Sequence, residues 1–84
     1  NNNLPNYINL TAISIEYIHT ASLILDDIMD GDYYRRDNLS VFAKYNISFA
    51  QLAALILCSY AGSNIITSLQ ELNIQHNNIN KNQN

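Results

Sequence analysis

The sequence predicts an all-α fold, a helical hairpin that forms part of a larger helical bundle, and three observations carry that expectation. Residues 10–29 run without glycine or proline and are apolar on most faces. A second apolar stretch follows from Leu52, and Ile65, Leu69 and Leu72 continue it at helical spacing. Between them, residues 32–45 mix charge, aromatic rings and turn formers.

The first stretch is rich in isoleucine, which favours strands, but its length of about 20 residues exceeds that of an ordinary strand and selects a buried helix. We place this helix at about 10–30. Gly31 then interrupts the pattern, and a connecting loop with at most one short helical turn is expected over about 31–46. Ser48 followed by Gln51, just ahead of Leu52, Ala53, Ala54, Leu55 and Ile56, is a capping-box signature for a second helix over about 47–73. Segments 1–9 and 74–84 are rich in asparagine and too polar to offset the entropy of ordering them, so both are expected to be disordered. Both helices are apolar on more than one face, as expected of elements that neighbouring helices cover.

Composition removes several classes of function. The chain has 84 residues, a formal charge of −3 and only four basic side chains. No basic stripe is present, so nucleic acid is set aside as a partner. The longest uninterrupted apolar run, residues 52–57, is far below the roughly 18 residues of a spanning helix, so no membrane span is expected. Residues 1–9 lack the basic start and apolar run of a signal peptide. A single cysteine, Cys58, has no internal disulfide partner and sits in an apolar stretch where buried thiols are common. A reducing, cytoplasmic location is expected. Sequons at Asn9, Asn38 and Asn46 are what chance gives in so asparagine-rich a chain. At this length one small core is the most that folding can build, so a segment of a longer protein is expected.

The chemistry concentrates at the end of the first helix, in Asp26-Asp27-Ile28-Met29-Asp30. Asp26 and Asp30 are four residues apart and stack on one face about 6 Å from each other, with Asp27 turned roughly 100° round the axis. Like charges repel there, and a helix C-terminus already carries partial negative charge. A cation would resolve the conflict. Mg²⁺ takes carboxylate oxygens, keeps several waters and shares its site with substrate phosphates. Arg35 and Arg36 follow in the connection, and guanidinium forks bind phosphate oxygens in pairs. Metal on one side of a diphosphate and arginine on the other is the arrangement these residues allow. His19 lies two turns before Asp26 on the same face and Glu16 nearly one turn further. A lone histidine on an apolar helix is more often a core residue than a ligand. An acidic Ca²⁺-binding hairpin is disfavoured by pattern: residues 26–32 do not combine the alternating ligands, central glycine and closing glutamate of an EF-hand, and a Ca²⁺ titration would test it.

The run His19-Thr20-Ala21-Ser22-Leu23-Ile24-Leu25-Asp26-Asp27-Ile28-Met29-Asp30, followed after four residues by Arg35-Arg36, resembles the first aspartate-rich region of trans-isoprenyl diphosphate synthases, the polyprenyl and geranylgeranyl diphosphate synthase family. Terpene cyclases share the bare aspartate pattern, but the arginine pair and the lead-in from His19 point to the chain-elongating enzymes. The resemblance covers residues 16–57 and implies an isoprenoid-synthase-type helical bundle. It implies that Asp26 and Asp30 bind Mg²⁺, with Asp27 supporting. Arg35 would hold the allylic diphosphate, and Arg36 and His19 the isopentenyl diphosphate. Ala21 and Ser22 stand where short-product members often carry a bulky aromatic floor, so the resemblance implies a geranylgeranyl or longer product. A homodimer or heterodimer is the implied assembly.

Departures accompany the likeness. Asp37, Leu39 and Phe42 stand where the family usually has Gly, Pro and His, and Ala54-Leu55 replaces a common Gly-Asp. The family's upstream basic segment and second aspartate-rich motif have no counterpart in these residues, so this polypeptide alone is expected to lack synthase activity. The rival expectation is a non-catalytic truncated subunit that docks through its helices onto a complete synthase.

Overall fold

A computed structural model describes residues 4–82. Two long helices, α1 (Asn6–Asp30) and α3 (Ile47–Asn82), are joined by a two-stranded hairpin, β1 (Tyr34–Arg35) and β2 (Asn38–Leu39), and a single helical turn, α2 (Val41–Lys44). The all-α expectation holds. The connection carries more structure than the sequence announced, because its two-residue strands are shorter than any periodicity can reveal.

α1 begins directly after Pro5, whose carbonyl accepts the amides of Ile8 and Asn9. Proline suits this place, since its fixed φ is pre-set for a helix start and its missing N–H would be unpaired there anyway. The helix therefore starts four residues earlier than its apolar pattern, and residues 6–9 are ordered rather than disordered. Gly31 ends it at φ +67°, with its amide bonded to the Ile28 carbonyl and that of Asp32 to the Asp27 carbonyl. This is the Schellman closure, in which a left-handed residue lets the chain turn back to satisfy the last carbonyls.

α3 corrects the sequence reading at both ends. Its N-terminus is capped by Asn46, whose Oδ1 accepts the Phe49 amide at 2.7 Å, so Ser48 lies inside the first turn and the Ser48–Gln51 capping box is not the cap. Asparagine is as good a cap as serine and stands two residues earlier. At the other end the helix runs to Asn82, through residues expected to be disordered. That expectation treated the segment as free. It is the continuation of a helix already nucleated, where each further residue gains a bond without a nucleation cost. Residues 1–3 and 83–84 of the predicted disordered ends lie outside the described residues.

The helices pack antiparallel along a seam of small side chains. Asn6 Nδ2 donates to Glu71 Oε1 at 2.8 Å, the Ser14 hydroxyl reaches the Ala61 carbonyl at 3.2 Å, and Tyr17 meets Tyr60 edge to face at 6.4 Å. The start of α1 thus lies beside the later part of α3. Ser14 and Ala21 on α1, and Ala54, Ala61 and Ser68 on α3, recur every seven residues and are all buried. Seven-residue spacing keeps one stripe facing a neighbouring helix, and small side chains there let the backbones approach closely. The core proper comprises Ala21, Ile24, Ala50 and Ala54, flanked by Ile28, Val41, Phe42, Ala53 and Leu57.

The outward faces remain apolar. Ile15, Leu52, Leu55, Ile56, Tyr60, Ile66 and Leu69 are exposed. Cys58, expected to be buried, is exposed as well, because the seam takes only one narrow stripe of α3. In contrast to the sequence reading, both α1 and α3 are long and apolar enough to cross a membrane by length and composition, a criterion that core helices of larger bundles also meet. Polar Ser, Thr and Asn residues interrupt the apolar runs of these helices without making them polar on average.

Ser40, just before α2, is buried, and no protein group among the described residues pairs with its hydroxyl, although its amide donates to the Tyr33 carbonyl at 2.8 Å. It makes no side-chain cap to α2 either. A buried unpaired hydroxyl costs about 1–3 kcal/mol of desolvation. Ser40→Ala is therefore expected to raise the unfolding midpoint, by about 1 kcal/mol in stability. A fall in thermal unfolding experiments would contradict this assignment.

Candidate functional site

The last three turns of α1 divide their acidic residues between two faces. Asp26 and Asp30 are exposed, one turn apart on the outer face, while Asp27 is only 3% exposed and turned inward. Neither outer carboxylate has a hydrogen bond or ion pair among the described residues. His19 and Ser22 share the outer face, His19 about 10 Å before Asp26 along the axis at 1.5 Å per residue. The Ser22 hydroxyl is spent on the His19 carbonyl at 2.6 Å. Glu16 is exposed nearly one turn beyond.

Asp27 has a partner of its own. Arg35 donates from Nε to Oδ2 at 2.9 Å and from Nη2 to Oδ1 at 2.7 Å, a two-point ion pair that ties β1 to the end of α1. The Arg35 pKa is raised above its ordinary value, chiefly by this hydrogen bond, with the charges of Asp27, Asp32 and Asp26 adding and desolvation opposing. A raised arginine pKa only removes its titration further from neutrality, so the pair's cationic partner is constant with pH across the physiological range.

The pairing works because the chain reverses sharply after Arg35. Tyr34 pairs with Leu39 and Arg35 with Asn38, leaving Arg36 and Asp37 as a two-residue turn with φ of +50° and +68°. Positive φ at both central positions is the type I′ geometry that matches the twist of a hairpin. Glycine is the residue that adopts it without steric cost, so the glycine usual in the resembled family finds its physical reason at Asp37. Beneath the hairpin lies a cavity of about 240 Å³, lined by Thr20, Asp27, Arg35, Leu39, Ser40 and neighbouring apolar side chains.

The structure thus brings Asp26, Asp30, Ser22 and His19 to one open face and carries the arginine pair back to the same end of α1. It does not bring Ala21 there: that residue is 1% exposed in the seam against α3. Consecutive helix positions are 100° apart, so Ala21 and Ser22 face different directions. The Asp27–Arg35 pair was missed by sequence reasoning. The signal was weak, because Arg36-Asp37 is not the Asn-Gly or Asp-Gly pair that announces such a turn.

Among the described residues no three His, Cys, Asp or Glu side chains converge as a complete metal cage. Two exposed, unpaired carboxylates one turn apart nonetheless fit Mg²⁺, which is commonly held by one or two carboxylates, waters and substrate phosphates.

Comparison with known proteins decides the family. Residues 2–82 match the family model described as polyprenyl synthetase. The chain belongs to the polyprenyl synthetase family. It is 40% identical over 63 residues to a trans-prenyltransferase of African swine fever virus (strain Badajoz 1971 Vero-adapted), an overlap covering 73% of this chain and 20% of that protein. It is also 40% identical over 48 residues to a farnesyl diphosphate synthase of Buchnera aphidicola, covering 55% of this chain and 16% of the relative. A (2E,6E)-farnesyl diphosphate synthase of Mycobacterium bovis is 40% identical over 50 residues, covering 60% and 14%. No solved structure matches the chain. The match spans about one fifth or less of the length of these polyprenyl synthetase relatives.

Proposed function

We propose that the chain supplies the first aspartate-rich wall of an isoprenyl diphosphate synthase, an enzyme that condenses an allylic diphosphate with isopentenyl diphosphate. The observation that carries this reading is the Asp27–Arg35 ion pair, which brings the arginine hairpin to the end of α1 beside the unpaired carboxylates of Asp26 and Asp30. In this reading Asp26 and Asp30 hold Mg²⁺, Arg35 holds the allylic diphosphate, and Arg36 and His19 hold that of isopentenyl diphosphate. When bound, the metal neutralises charge that builds on a departing diphosphate, the kind of stabilisation worth several kcal/mol in a dry cavity. The arginines bind and orient the anion from the other side.

Ala21 and Ser22, both small and four to five residues before Asp26, support by the family resemblance a geranylgeranyl or longer product. The exposed apolar faces of α1 and α3 support assembly into a larger bundle and a homodimer or heterodimer. A free, exposed Cys58 suits a reducing cytoplasmic location. One carboxylate wall cannot complete the reaction, so the 84-residue chain is expected to be inactive alone. The same apolar faces favour a second reading, a non-catalytic subunit that docks onto a complete synthase.

The test is calorimetric binding of farnesyl diphosphate with and without Mg²⁺. Binding that requires Mg²⁺ is the expected result. Equal affinity without the metal would overturn the metal-bridged site and leave the docking subunit.

A further inference from the structure

A guanidinium group has two edges that can engage an anion at two points. The side-on edge uses Nε–H with one N–H of a terminal nitrogen, and the end-on edge uses one N–H from each terminal nitrogen. Arg35 spends its side-on edge on Asp27, through Nε at 2.9 Å and Nη2 at 2.7 Å. Its five N–H groups leave three after that pairing. No other hydrogen bond engages them among the described residues, and the side chain is 38% exposed, against 5% for that of Asp27.

The two partners therefore differ in availability. Asp27 is enclosed, with both oxygens occupied by Arg35, and is poorly placed to bind a metal alongside Asp26 and Asp30. Arg35 is held along one edge and open along the other. An arginine side chain otherwise loses considerable rotamer freedom when it orders round a ligand. Its position is further fixed by the β1–β2 pairing of Arg35 with Asn38.

We propose that Asp27 is a positioning residue, which locks the side-on edge of Arg35 so that the end-on edge stays presented to two oxygens of a diphosphate. Asp27 is not a metal ligand in this arrangement. It acts on the anion only through Arg35. The inference rests on the diphosphate-site reading above and assigns a division of labour within it: the outer carboxylates serve the cation, and the inner one serves the arginine.

The experiment uses inorganic diphosphate as the probe. Its affinity is measured by calorimetry at fixed Mg²⁺, and the Mg²⁺ requirement at fixed diphosphate, for the unsubstituted chain, Asp27→Asn, Arg35→Lys, the double variant and Asp26→Asn, each checked by thermal unfolding. Asp27→Asn is expected to weaken diphosphate binding about tenfold, the scale of an outer supporting group, with the Mg²⁺ requirement unchanged. Asp26→Asn is expected to raise that requirement. Because Asp27 works through Arg35, the double variant should bind no more weakly than Arg35→Lys alone. Arg35→Lys keeps the charge at position 35, so the comparison stands even where Asp27→Asn alone fails to fold. A Mg²⁺ requirement raised by Asp27→Asn as much as by Asp26→Asn, additive losses in the double variant, or full diphosphate affinity in a folded Asp27→Asn chain would each overturn the assignment. Absence of Mg²⁺-dependent diphosphate binding in the unsubstituted chain would instead overturn the site reading itself, and this inference with it.

Discussion

Ala54→Leu is expected to lower the stability of the hairpin by about 3 kcal/mol, the upper part of the usual range for overpacking. Ala54 is 2% exposed and faces the part of α1 that carries Ala21, itself 1% exposed. A leucine adds three carbon atoms in a buried cluster where Ala21 and Ala50 have no side-chain rotamer to yield. The helices must separate or shift, and either movement strips contacts from Ala50 and Ile24 as well. A chain of this size has a marginal reserve, near the lower end of about 5–15 kcal/mol for globular domains. Thermal unfolding followed by far-ultraviolet circular dichroism reads the change. Leu55→Ala is the control, since Leu55 is 62% exposed, and its effect should stay within about 0.5 kcal/mol. Equal midpoints for Ala54→Leu and the unsubstituted chain would mean that the helices do not meet at this seam.

The double substitution Asp26→Ala, Asp30→Ala is expected to act in opposite directions on binding and on stability. Binding of farnesyl diphosphate in the presence of Mg²⁺ should weaken at least about tenfold, or about 1.4 kcal/mol. Stability without Mg²⁺ should instead rise by about 0.3–1 kcal/mol, because two like charges leave the negative end of a helix dipole. Both carboxylates are exposed and unpaired among the described residues, so their removal breaks no contact. Opposite signs separate a ligand site from a structural cluster. A loss of stability together with unchanged binding would mean that the carboxylates support the helix end and hold no metal.

The two long helices were legible in the sequence because helix formation depends on spacing, length and the absence of glycine and proline, which are local properties. The same held for the break at Gly31, and the aspartates and arginines were visible as a spacing pattern on which the proposed metal and diphosphate roles rest. The helix ends were less legible. Pro5 and Asn46 act through backbone geometry at a single position, and the polar end of α3 follows the helix before it rather than its own composition.

Tertiary structure alone decided which residues share a face and which share a bond. The sequence contains Ser14, Ala21, Ala54, Ala61 and Ser68, but only the antiparallel docking of α1 on α3 makes them a seam and removes Ala21 from the open face. It contains the aspartates of residues 26–30 and the arginines 35 and 36, but only the reversal at Arg36 and Asp37 joins Asp27 to Arg35 and leaves Asp26 and Asp30 unpaired among the described residues. The physical reason is range: helix and turn preferences are set by neighbours a few residues away, whereas an ion pair across Gly31 or a contact between α1 and α3 exists only once the chain has folded back on itself.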